Sequence, residues 1–293
     1  MKTKNNFTCH NIILQLKNFW SKHGCIIIQP IDITVGAGTF HQCTFFQVIG
    51  KKFYKTAYLQ ISRRPTDGRY GENPNRLQQY YQFQVTMKPV PHNIQKLYLQ
   101  SLQFIDINIE NNDIRFIEDN WENPTLGACG LGWEIWLNGM EITQFTYFQK
   151  MGSLTCQPTA VEITYGIERT AMHIQKKKNI YDIIWDQNES YCLSYKQLFY
   201  KNEIEQSLYN FQHSNIKFLK KLFYEHLSES KRLLSFQKPL LLPAYEHILH
   251  ATHNFNLLDA RQIISNTERT NLILKIRSIV KIIAQYYHKD QSK

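Results

Sequence analysis

The sequence has no apolar run that approaches the roughly 20 residues a membrane-spanning helix needs. Its six cysteines are scattered, and no two of them form a Cys-x-x-Cys pair. This spacing argues against a zinc ribbon and favours reduced thiols in a cytosol-like compartment. The first residues lead into an amphipathic segment instead of an apolar core, so we expect no signal peptide. The sequence therefore predicts a cytoplasmic protein with no membrane partner.

Common nucleotide- and metal-binding motifs are also missing. The sequence has neither Gly-x-x-x-x-Gly-Lys-Ser/Thr nor His-Glu-x-x-His, and the glycines between positions 127 and 132 do not form Gly-x-Gly-x-x-Gly. His247, His250 and His253 have a spacing that suggests a metal site. Helical steps of three would spread these side chains over about 120°, which is too wide for one ion. A nucleotide site must therefore be built from other residues, and we predict no histidine-bound metal.

Acidic residues are fewer than basic ones, at 24 Asp and Glu against 34 Lys and Arg, which gives a net charge of +10. Such a balance favours polyanionic partners such as nucleic acid, although a basic surface also serves solubility. Hydrophobic residues make up 43% of the 293 positions, which is enough for a large core in one or two domains.

Hydrophobic periodicity divides the chain into a mixed part and a helical part. Predicted strands cover residues 25–29 (expected to be buried), 57–62, 80–88, 113–118, 133–137, 140–149 and 161–164, and predicted helices cover 8–22 and 93–104. From about residue 195 the pattern is helical, with a break near Pro239 and Pro243. We predict an α+β fold, with an antiparallel sheet flanked by helices in residues 1–194 and an all-helical domain in 195–293.

An arginine-rich loop is the most informative segment for function. Arg63, Arg64, Arg69 and Arg76 lie on a stretch rich in Pro, Gly and Asn that runs into a strand beginning near Tyr80. A guanidinium grips phosphate oxygens bidentately, and an aromatic ring offers a flat face to a base. The combination predicts a nucleotide site. The alternative is a half-exposed strand with a charged hairpin loop, since loops also collect arginine for solubility.

The strand after this loop alternates between two kinds of side chain. Tyr81, Phe83 and Val85 form an apolar face, and Tyr80, Gln82 and Gln84 form a polar one. The apolar face is expected to pack on a core. The polar face is then free to meet a ligand.

Asn138-Gly139 is a strong signal for a two-residue hairpin turn. Such a turn pairs residue 137 with 140, 136 with 141, 135 with 142 and 134 with 143. Glu134, Trp136, Glu141 and Thr143 would then share one face. Two carboxylates on that face suit an ammonium group or Mg²⁺, whereas the alternative is an ordinary solvated face.

A strand, a glycine and a helix follow one another at positions 162–169. Gly166 removes a side chain where a ligand would approach the backbone, and Arg169 falls in the first helical turn. The helix dipole does not favour a cation there, so we expect Arg169 to serve a ligand. The alternative is a salt bridge with Glu168 or another neighbour.

These segments together resemble class II aminoacyl-tRNA synthetases. Arg63 or Arg64, the loop, and the run from Arg76 to Tyr80 resemble motif 2 of that class; residues 166–169 resemble motif 3, and residues 24–30 are similar to motif 1. Residues 35–41, 62–76, 139–149 and 255–261 further resemble the alpha-subunit family of bacterial heterotetrameric glycyl-tRNA synthetases, and the match covers essentially the whole chain. The family usually has a tryptophan near position 129, where this chain has Cys129.

The resemblance implies a class II synthetase-like antiparallel catalytic domain followed by a helical domain. It also implies activation of glycine by ATP to glycyl-adenylate, with Mg²⁺, and transfer of glycine to tRNA(Gly). The implied assembly is an alpha–alpha homodimer that binds two beta subunits, an alpha2beta2 heterotetramer in the cytoplasm.

The resemblance also implies roles for particular residues. Arg63 or Arg64 would hold the α-phosphate, and Tyr80 and Arg169 would sandwich adenine. Other nucleotide-binding candidates are Arg76, Gln82, Glu141 and Gln144, with Mg²⁺ assigned to Glu141. Candidates for binding glycine are Glu162, Glu134 and Thr143, and Trp133 or Trp136 would exclude larger amino acids.

Two other functions are open at this point. One is a free-standing adenylate-forming relative that charges a carrier other than tRNA. The other is a degenerate RNA-binding or assembly subunit that has lost catalysis. The arginines of the loop and the segment from Gly166 to Arg169 are intact, which argues against degeneration.

Overall fold

A computed structural model describes residues 8–291. The signal-peptide expectation depends on the first positions of the chain, which lie outside the described residues. The helices are α1 (Cys9–Lys22), α2 (Gln42–Ile49), α3 (Ile94–Phe104), α4 (Ile167–Ile174), α5 (Tyr195–Leu208), α6 (Ile216–Leu234), α7 (Leu241–Ala260) and α8 (Asn266–Asp290). Among the described residues, none of these helices is long and apolar enough to cross a membrane.

Seven strands form one sheet, in the order β1-β2-β3-β7-β6-β5-β4. They are β1 (Ile26–Ile27), β2 (Tyr54–Arg63), β3 (Gln79–Lys88), β4 (Ile114–Asn123), β5 (Ala128–Leu137), β6 (Met140–Met151) and β7 (Leu154–Gly166). Each neighbouring pair is antiparallel except β1 with β2. A small hairpin of β8 (Ile184–Gln187) and β9 (Cys192–Ser194) stands apart. The predicted α+β class is confirmed.

Two apolar cores hold the sheet and the helices together. The first lies between the sheet and helices α1, α3 and α4, and it includes Trp20, Tyr98 and Phe145. The second joins α2 and the end of β6 to the C-terminal helices, with Phe148 of the sheet and Phe223 of α6 in the same cluster. The helical region predicted from residue 195 is therefore present but shares a core with the sheet. Its independence as a domain, with a boundary at 194/195, stays a prediction.

The first strand differs from its prediction. Residues 25–29 were expected to form a buried strand, but β1 covers only Ile26–Ile27 at the edge of the sheet. Ile26 is 69% exposed, because the strand pairs with β2 on one side alone. The expectation of burial is confirmed for Cys25, which belongs to the first core, but it is wrong for Ile26, and the strand is shorter than predicted.

The hairpin between β5 and β6 confirms the predicted turn but not the whole predicted register. Asn138 and Gly139 have φ of 49° and 84°, as a two-residue turn of this kind requires. Pairing follows the prediction at Leu137↔Met140 and Trp136↔Glu141, and then a β-bulge shifts it by one residue.

The bulge places Ile142 as the extra residue of β6. The observed pairs beyond it are Ile135↔Thr143 and Glu134↔Gln144, so the predicted pairs 135 with 142 and 134 with 143 are wrong. The shift lets Ile142 stay buried and brings Gln144, instead of Thr143, opposite Glu134.

Candidate active site

A cavity of about 500 Å³ lies on the polar face of the central strands. It is lined by Ala37, Thr39, Arg64, Asp67, Asn75, Arg76, Leu77, Tyr80, Gln82, Gln84, Asp119, Asn120, Trp121, Glu122, Glu134, Glu141, Ile142, Thr143, Gln144, Glu162, Thr164, Gly166, Glu168, Arg169 and Ile180. Strands β3, β6 and β7 supply its floor, and the arginine loop and α4 supply part of its rim. All of the predicted catalytic, nucleotide-binding and glycine-binding residues except Arg63 line this cavity, whereas Trp133 and Trp136, predicted to exclude larger amino acids, do not.

Strand β3 confirms the alternation read from the sequence. Phe83 and Val85 are fully buried in the first core, whereas Tyr80, Gln82 and Gln84 line the cavity. The polar face continues across neighbouring strands, because partners in register share a face of a sheet. The relevant pairs are Ser62↔Tyr80, Gln60↔Gln82 and Gln84↔Thr164.

The two adjacent arginines at the start of the loop lie differently. The guanidinium of Arg64 lies over the ring of Tyr80, with Cζ 5.3 Å from the ring centroid, and its Nε donates to the Gly36 carbonyl at 3.0 Å. We call this pair the Arg64–Tyr80 platform. The lining of the cavity includes Arg64, whereas Arg63 is absent from it among the described residues. Burial and the nearby Arg63 charge together lower the pKa of His253 to about 4.

The rest of the arginine loop is held in place by its own residues and by α5. Arg69 donates to the carbonyls of Thr66 and Gly68 at 3.1 and 2.6 Å, so it braces the loop. The backbone N–H of Gln78 donates to the Glu203 carboxylate on α5 at 3.1 Å. Arg76 stays at the cavity rim, where its Nε lies 3.2 Å from Asp67 Oδ1.

Tyr80 presents a polar atom that no described residue pairs with. Its hydroxyl is buried, and it has no hydrogen-bond partner among residues 8–291. Burial raises the pKa of Tyr80 to about 12, against the opposing effect of the Arg64 charge. The ring is therefore neutral at physiological pH, and it can stack on a base.

Glu162 is a buried carboxylate on β7, and one of its two oxygens accepts a hydrogen bond from the protein. Oε2 accepts a hydrogen bond of 2.6 Å from the Thr39 hydroxyl, and Oε1 is buried without a partner in the described part of the chain. Burial raises the pKa of Glu162 to about 7, and the Thr39 hydrogen bond partly opposes that rise. A buried carboxylate oxygen in this state is matched by a small cationic ligand group.

Two glutamine amides lie on β3 in the same cavity. Gln82 Oε1 accepts from the Ser62 hydroxyl at 2.6 Å and from the Gly38 N–H at 3.2 Å. Gln84 Oε1 accepts from the Thr164 hydroxyl, while its Nε2 is buried with no partner in the described residues. A Cβ at Gly38 would collide with the Gln84 side chain, so this close approach requires glycine. The cavity thus offers an unpaired amide donor as well as an unpaired carboxylate acceptor.

The hairpin carboxylates also line the cavity, and each has a partner. Glu141 Oε2 accepts from Arg169 Nη1 at 2.8 Å, and Arg169 also donates to the Glu141 carbonyl at 3.1 Å. Glu134 Oε2 accepts from the Trp136 indole at 2.9 Å. The ion pair that the sequence offered as the alternative for Arg169 therefore exists, with Glu141 instead of Glu168.

After the bulge at Ile142, Thr143 and Gln144 form hydrogen bonds in different directions. Gln144 donates to Asp119 Oδ2 at 2.8 Å across the cavity face. The Thr143 hydroxyl accepts from the Tyr98 hydroxyl at 2.9 Å, and Tyr98 belongs to the first core. Thr143 thus lines the cavity, while its hydroxyl is hydrogen-bonded to a residue of the first core.

Glu168 supports the site from beneath. It is buried and accepts from the Tyr81 N–H at 2.8 Å and from the Tyr195 hydroxyl at 2.9 Å. Burial raises the pKa of Glu168 to about 7, against the lowering effect of these hydrogen bonds. Glu168 therefore ties α4 to β3 and to α5, which fixes the position of the adjacent Arg169.

The family model of the glycyl-tRNA synthetase alpha subunit matches residues 9–292 of this chain. The chain belongs to this family. The glycine–tRNA ligase alpha subunit of Buchnera aphidicola subsp. Baizongia pistaciae is 56% identical over 291 residues, which cover 99% of this chain and 97% of that protein. The glycyl-tRNA synthetase resemblance read from the motifs is confirmed, and with it the ligase class.

Solved structures with a detectable likeness include two of Desulfitobacterium hafniense pyrrolysyl-tRNA synthetase. One shares 8% identity over 64% of this chain and 73% of that chain with a TM-score of 0.46. The other shares 7% identity over 64% and 76%, with a TM-score of 0.44. Likenesses of this size carry no weight for fold or function.

The tryptophans expected to form the cavity wall that excludes larger amino acids, Trp133 or Trp136, lie elsewhere. Trp133 packs against Phe116 and Phe145, with ring centroids 6.0 and 5.8 Å apart, on the side of the first core. The Trp136 indole donates a hydrogen bond to Glu134. Neither tryptophan is part of the described cavity lining. The tryptophan that lines the cavity is Trp121 of β4. The expectation for positions 133 and 136 is therefore wrong.

Several cavity residues were missed from the sequence, among them Thr39, Asp119, Trp121 and Thr164. Strand β4 runs to Asn123, whereas the predicted strand stopped at 118, so Asp119 and Trp121 fell outside it. Beyond residue 117 the polar run at 118–120 interrupts the apolar–polar alternation, so no local pattern extends the strand to 123. Thr39 lies on a short 3-10 turn far from Glu162 in sequence, and no local pattern pairs them.

No group of three or more His, Cys, Asp or Glu side chains within residues 8–291 is arranged to hold a metal ion. His247 instead contacts His226 of α6, with their Nδ1 atoms 2.9 Å apart.

Proposed function

We propose that this chain activates glycine with ATP to form glycyl-adenylate and, together with a beta subunit, transfers glycine to tRNA(Gly). The observation that supports this most directly is the pairing of groups in one cavity. The Arg64–Tyr80 platform and the unpaired carboxylate oxygen of Glu162 face the same space. The Arg64 guanidinium suits a phosphate group and the Tyr80 ring suits a base, which together fit a nucleotide. The buried Glu162 carboxylate suits the ammonium group of a small amino acid.

The nucleotide end of the cavity is assigned to the arginine loop and α4. Tyr80 and Arg169 are proposed to hold adenine between them, and Arg64 is proposed to bind the α-phosphate. Arg76 at the rim reaches the outer phosphates. Arg63 is the weaker candidate for the α-phosphate, because it is not part of the described cavity lining. Gln82 and Gln144 complete this set as hydrogen-bonding side chains of the cavity.

Glycine is assigned to the buried end of the cavity. Glu162 is the stronger candidate for the glycine ammonium, because its Oε1 is buried and unpaired, whereas the Glu134 carboxylate already accepts from Trp136. Gln84 Nε2 is a donor of matching character for the glycine carboxylate. Thr143 contributes a wall more than a hydrogen bond, since its hydroxyl accepts from Tyr98.

The chemistry proposed for the cavity needs no covalent enzyme intermediate. A glycine carboxylate oxygen attacks the α-phosphorus, a new P–O bond forms, and the bond to pyrophosphate breaks. Arg64 offsets the charge that develops on the α-phosphate oxygens. The enzyme supplies orientation, because Glu162 and Tyr80 hold the two substrates at opposite ends of the same cavity.

Mg²⁺ is proposed as a partner of ATP rather than of the protein alone. The described residues offer no three-ligand acidic or histidine site, but Mg²⁺ held by phosphates needs only one or two carboxylates. Glu141, at the rim beside Arg169, is the proposed carboxylate. When bound, the ion would neutralise charge on the leaving pyrophosphate.

The proposed assembly follows the family name. We propose an alpha–alpha homodimer joined to two beta subunits, with tRNA(Gly) as the RNA substrate and the cytoplasm as the compartment. The net charge of +10 is in keeping with an RNA partner.

The test is glycine-dependent exchange between ATP and pyrophosphate, measured on the chain with and without its beta subunit. We expect exchange with glycine and none with alanine. The absence of exchange in both preparations, with the chain shown to be folded, would refute the proposal. Exchange without any charging of tRNA(Gly) in the complete complex would point instead to a different acceptor.

A further inference from the structure

The arginine loop, residues 64–78, rests on helix α5 and on the turn that follows it. The chain leaves α5 at Leu208 and continues as one π-helical turn, Tyr209–His213. Turns of this type are rare and are frequently found at functional sites. We call Ser207, the last buried residue of α5, together with this turn the loop support. None of these residues is part of the described cavity lining, so the loop support can act on the reaction only through the loop.

Tyr70 is the loop residue that the loop support holds. Its backbone N–H donates to Ser207 Oγ at 3.0 Å, and its hydroxyl accepts from Gln212 Nε2 at 3.1 Å. The Tyr70 ring packs on Phe211, with the ring centroids 5.8 Å apart. Tyr70 has φ of 55°, a left-handed conformation that is uncommon for a residue other than glycine. Such a conformation persists where surrounding contacts hold it, and the loop support supplies those contacts.

Two glycines let the loop approach α5 this closely. A Cβ at Gly68 would lie 2.8 Å from Ser207 Oγ and 3.0 Å from the Phe211 ring. A Cβ at Gly71 would lie 2.6 Å from the Tyr200 ring of α5. The backbone of Gly68, with φ of −53° and ψ of 141°, suits any residue, so the contact and not the conformation requires glycine there. These glycines therefore serve the contact between the loop and α5.

The supported segment adjoins a residue that faces the nucleotide. Asp67 directly precedes the first of the two glycines, and its Oδ1 lies 3.2 Å from Arg76 Nε. Both side chains line the catalytic cavity. The Arg76 side chain is 56% exposed, so its direction depends on Asp67 and on the position of the loop. Arg64, in contrast, has its own contacts with Gly36 and Tyr80.

The C-terminal helices fix the loop support from the other side. Arg261, directly after α7, donates from Nη1 to the Phe211 carbonyl. Carbonyls in the last turn of a helix lack partners within the helix, and the guanidinium supplies one. Residues 255–261 carried part of the family resemblance but have no assigned part in the activation of glycine. Arg261 gives this segment a role, because it ties the loop support to α7.

We propose that the loop support is a positioning element for the nucleotide: Ser207 and the π-helical turn hold the arginine loop so that Arg76 faces the outer phosphates of ATP. This inference rests on the proposed function, because it names the residues that keep the nucleotide end of the cavity in place. Without the loop support, part of the binding energy of ATP is spent on ordering the loop, which weakens ATP binding. Glu162 and Arg64 do not depend on the loop support, so glycine binding and the chemical step keep their rates.

The kinetic test uses the complete alpha–beta complex and two variants. Ser207→Ala removes the acceptor of the Tyr70 N–H, and Gly68→Ala pushes the loop away from α5 with one added methyl group. Ser230→Ala is the matched control, since Ser230 is fully buried in α6 and makes its hydrogen bond to the Ala244 carbonyl, away from the loop.

In ATP–pyrophosphate exchange we expect KM for ATP to rise roughly 5- to 10-fold in Ser207→Ala and in Gly68→Ala, the effect of one lost hydrogen bond to a buried group. KM for glycine and kcat should stay close to wild type in both. Ser230→Ala should match wild type in all three constants. Unchanged KM for ATP in both variants would overturn the inference, and so would equal rises in KM for ATP and for glycine, which would indicate general damage.

Amide hydrogen–deuterium exchange measures the loop without reference to activity. Peptides covering residues 66–77 should exchange roughly 10-fold faster in Ser207→Ala and Gly68→Ala than in wild type, and at the wild-type rate in Ser230→Ala. Saturating ATP should restore the protection. Loop amides that exchange at the wild-type rate in both variants would overturn the inference. Absence of ATP–pyrophosphate exchange in the wild type would refute the proposed function instead.

Discussion

The guanidinium of Arg64 lies 5.3 Å from the centroid of the Tyr80 ring, and both side chains line one cavity. The two residues come from opposite ends of the arginine loop and meet because β2 and β3 pair in register, with Ser62 opposite Tyr80. Residue 64 continues the polar face of β2 beyond Ser62. Adjacent residues of extended chain point to opposite faces, so this contact distinguishes Arg64 from Arg63.

Replacement of Arg64 is expected to damage the activation step. Arg64→Lys keeps the charge but loses the planar, bidentate donor set, and Arg64→Ala loses both. We expect kcat for ATP–pyrophosphate exchange to fall roughly 100-fold or more in the alanine variant, the size typical of a lost transition-state donor. The lysine variant should recover only part of that loss.

Arg63→Ala is the matched control for this prediction. Exchange should stay close to wild type, while the pKa of His253, which the Arg63 charge helps to lower, should rise in an NMR titration. The assignment is wrong if Arg63→Ala loses exchange and Arg64→Ala does not.

Glu162→Gln is expected to weaken glycine binding without affecting ATP. The amide preserves shape and an acceptor for the Thr39 hydroxyl but removes the negative charge that faces an ammonium group. Loss of one member of a buried charge pair predicts a rise in KM for glycine of at least roughly 30-fold. KM for ATP should change little in steady-state exchange assays.

The same residue predicts a pH dependence. Because burial raises the pKa of Glu162 to about 7, the carboxylate is largely protonated at pH 6 and ionised at pH 8. We expect kcat/KM for glycine to rise through about pH 7 in wild type and to lose this step in Glu162→Gln. Glu203→Gln, which removes another buried carboxyl outside the catalytic cavity, should keep the step. A step that survives in Glu162→Gln would assign it to another group.

Arg169 and Glu141 are expected to have separable roles. Arg169→Ala should raise KM for ATP roughly 3- to 30-fold, the range of a cation–π contact with adenine. Their ion pair is 39% and 31% exposed, so its loss should cost less than about 1 kcal/mol of stability. Glu141→Gln should leave KM for ATP near wild type but raise the Mg²⁺ concentration needed for half-maximal exchange. Full exchange activity in Arg169→Ala would exclude the adenine contact.

The elements found from the sequence were those with a strong local signal. The alternation of β3 placed Tyr80, Gln82 and Gln84 on the cavity face, and the Asn138-Gly139 turn placed Glu134 and Glu141 near each other. The bulge at Ile142 was not predictable, because no residue type marks it and either register buries an apolar side chain.

Contacts between distant segments were also beyond local patterns. Thr39 meets Glu162 across 123 positions of sequence, and Gln78 meets Glu203 across 125. The shared core of the sheet and the C-terminal helices, with Phe148 against the α6–α8 cluster, likewise depends on packing that periodicity does not encode. The sequence therefore predicted which side chains share a face of a strand, but not which segment packs against that face.

Because of Glu203, the free energy of unfolding is expected to depend on pH. This buried carboxylate accepts the Gln78 N–H, and burial raises its pKa to about 7 from the ordinary 4.5 of a glutamate. Between those values the folded state holds a proton that the unfolded state has released. Its contribution to stability is therefore complete below about pH 4.5 and is lost as the pH rises through about 7, by up to roughly 3 kcal/mol.

Glu203→Gln should remove this dependence, because glutamine keeps an acceptor for Gln78 and has no proton to lose. In urea unfolding at pH 5, 6, 7 and 8, we expect the free energy of unfolding of the variant to gain on wild type as the pH rises. Glu205→Gln, on the same helix but exposed and 3.6 Å from Lys201, is the control and should stay within about 0.5 kcal/mol of wild type at each pH. Parallel pH profiles for Glu203→Gln and wild type would show that Glu203 is ionised in the folded protein throughout this range.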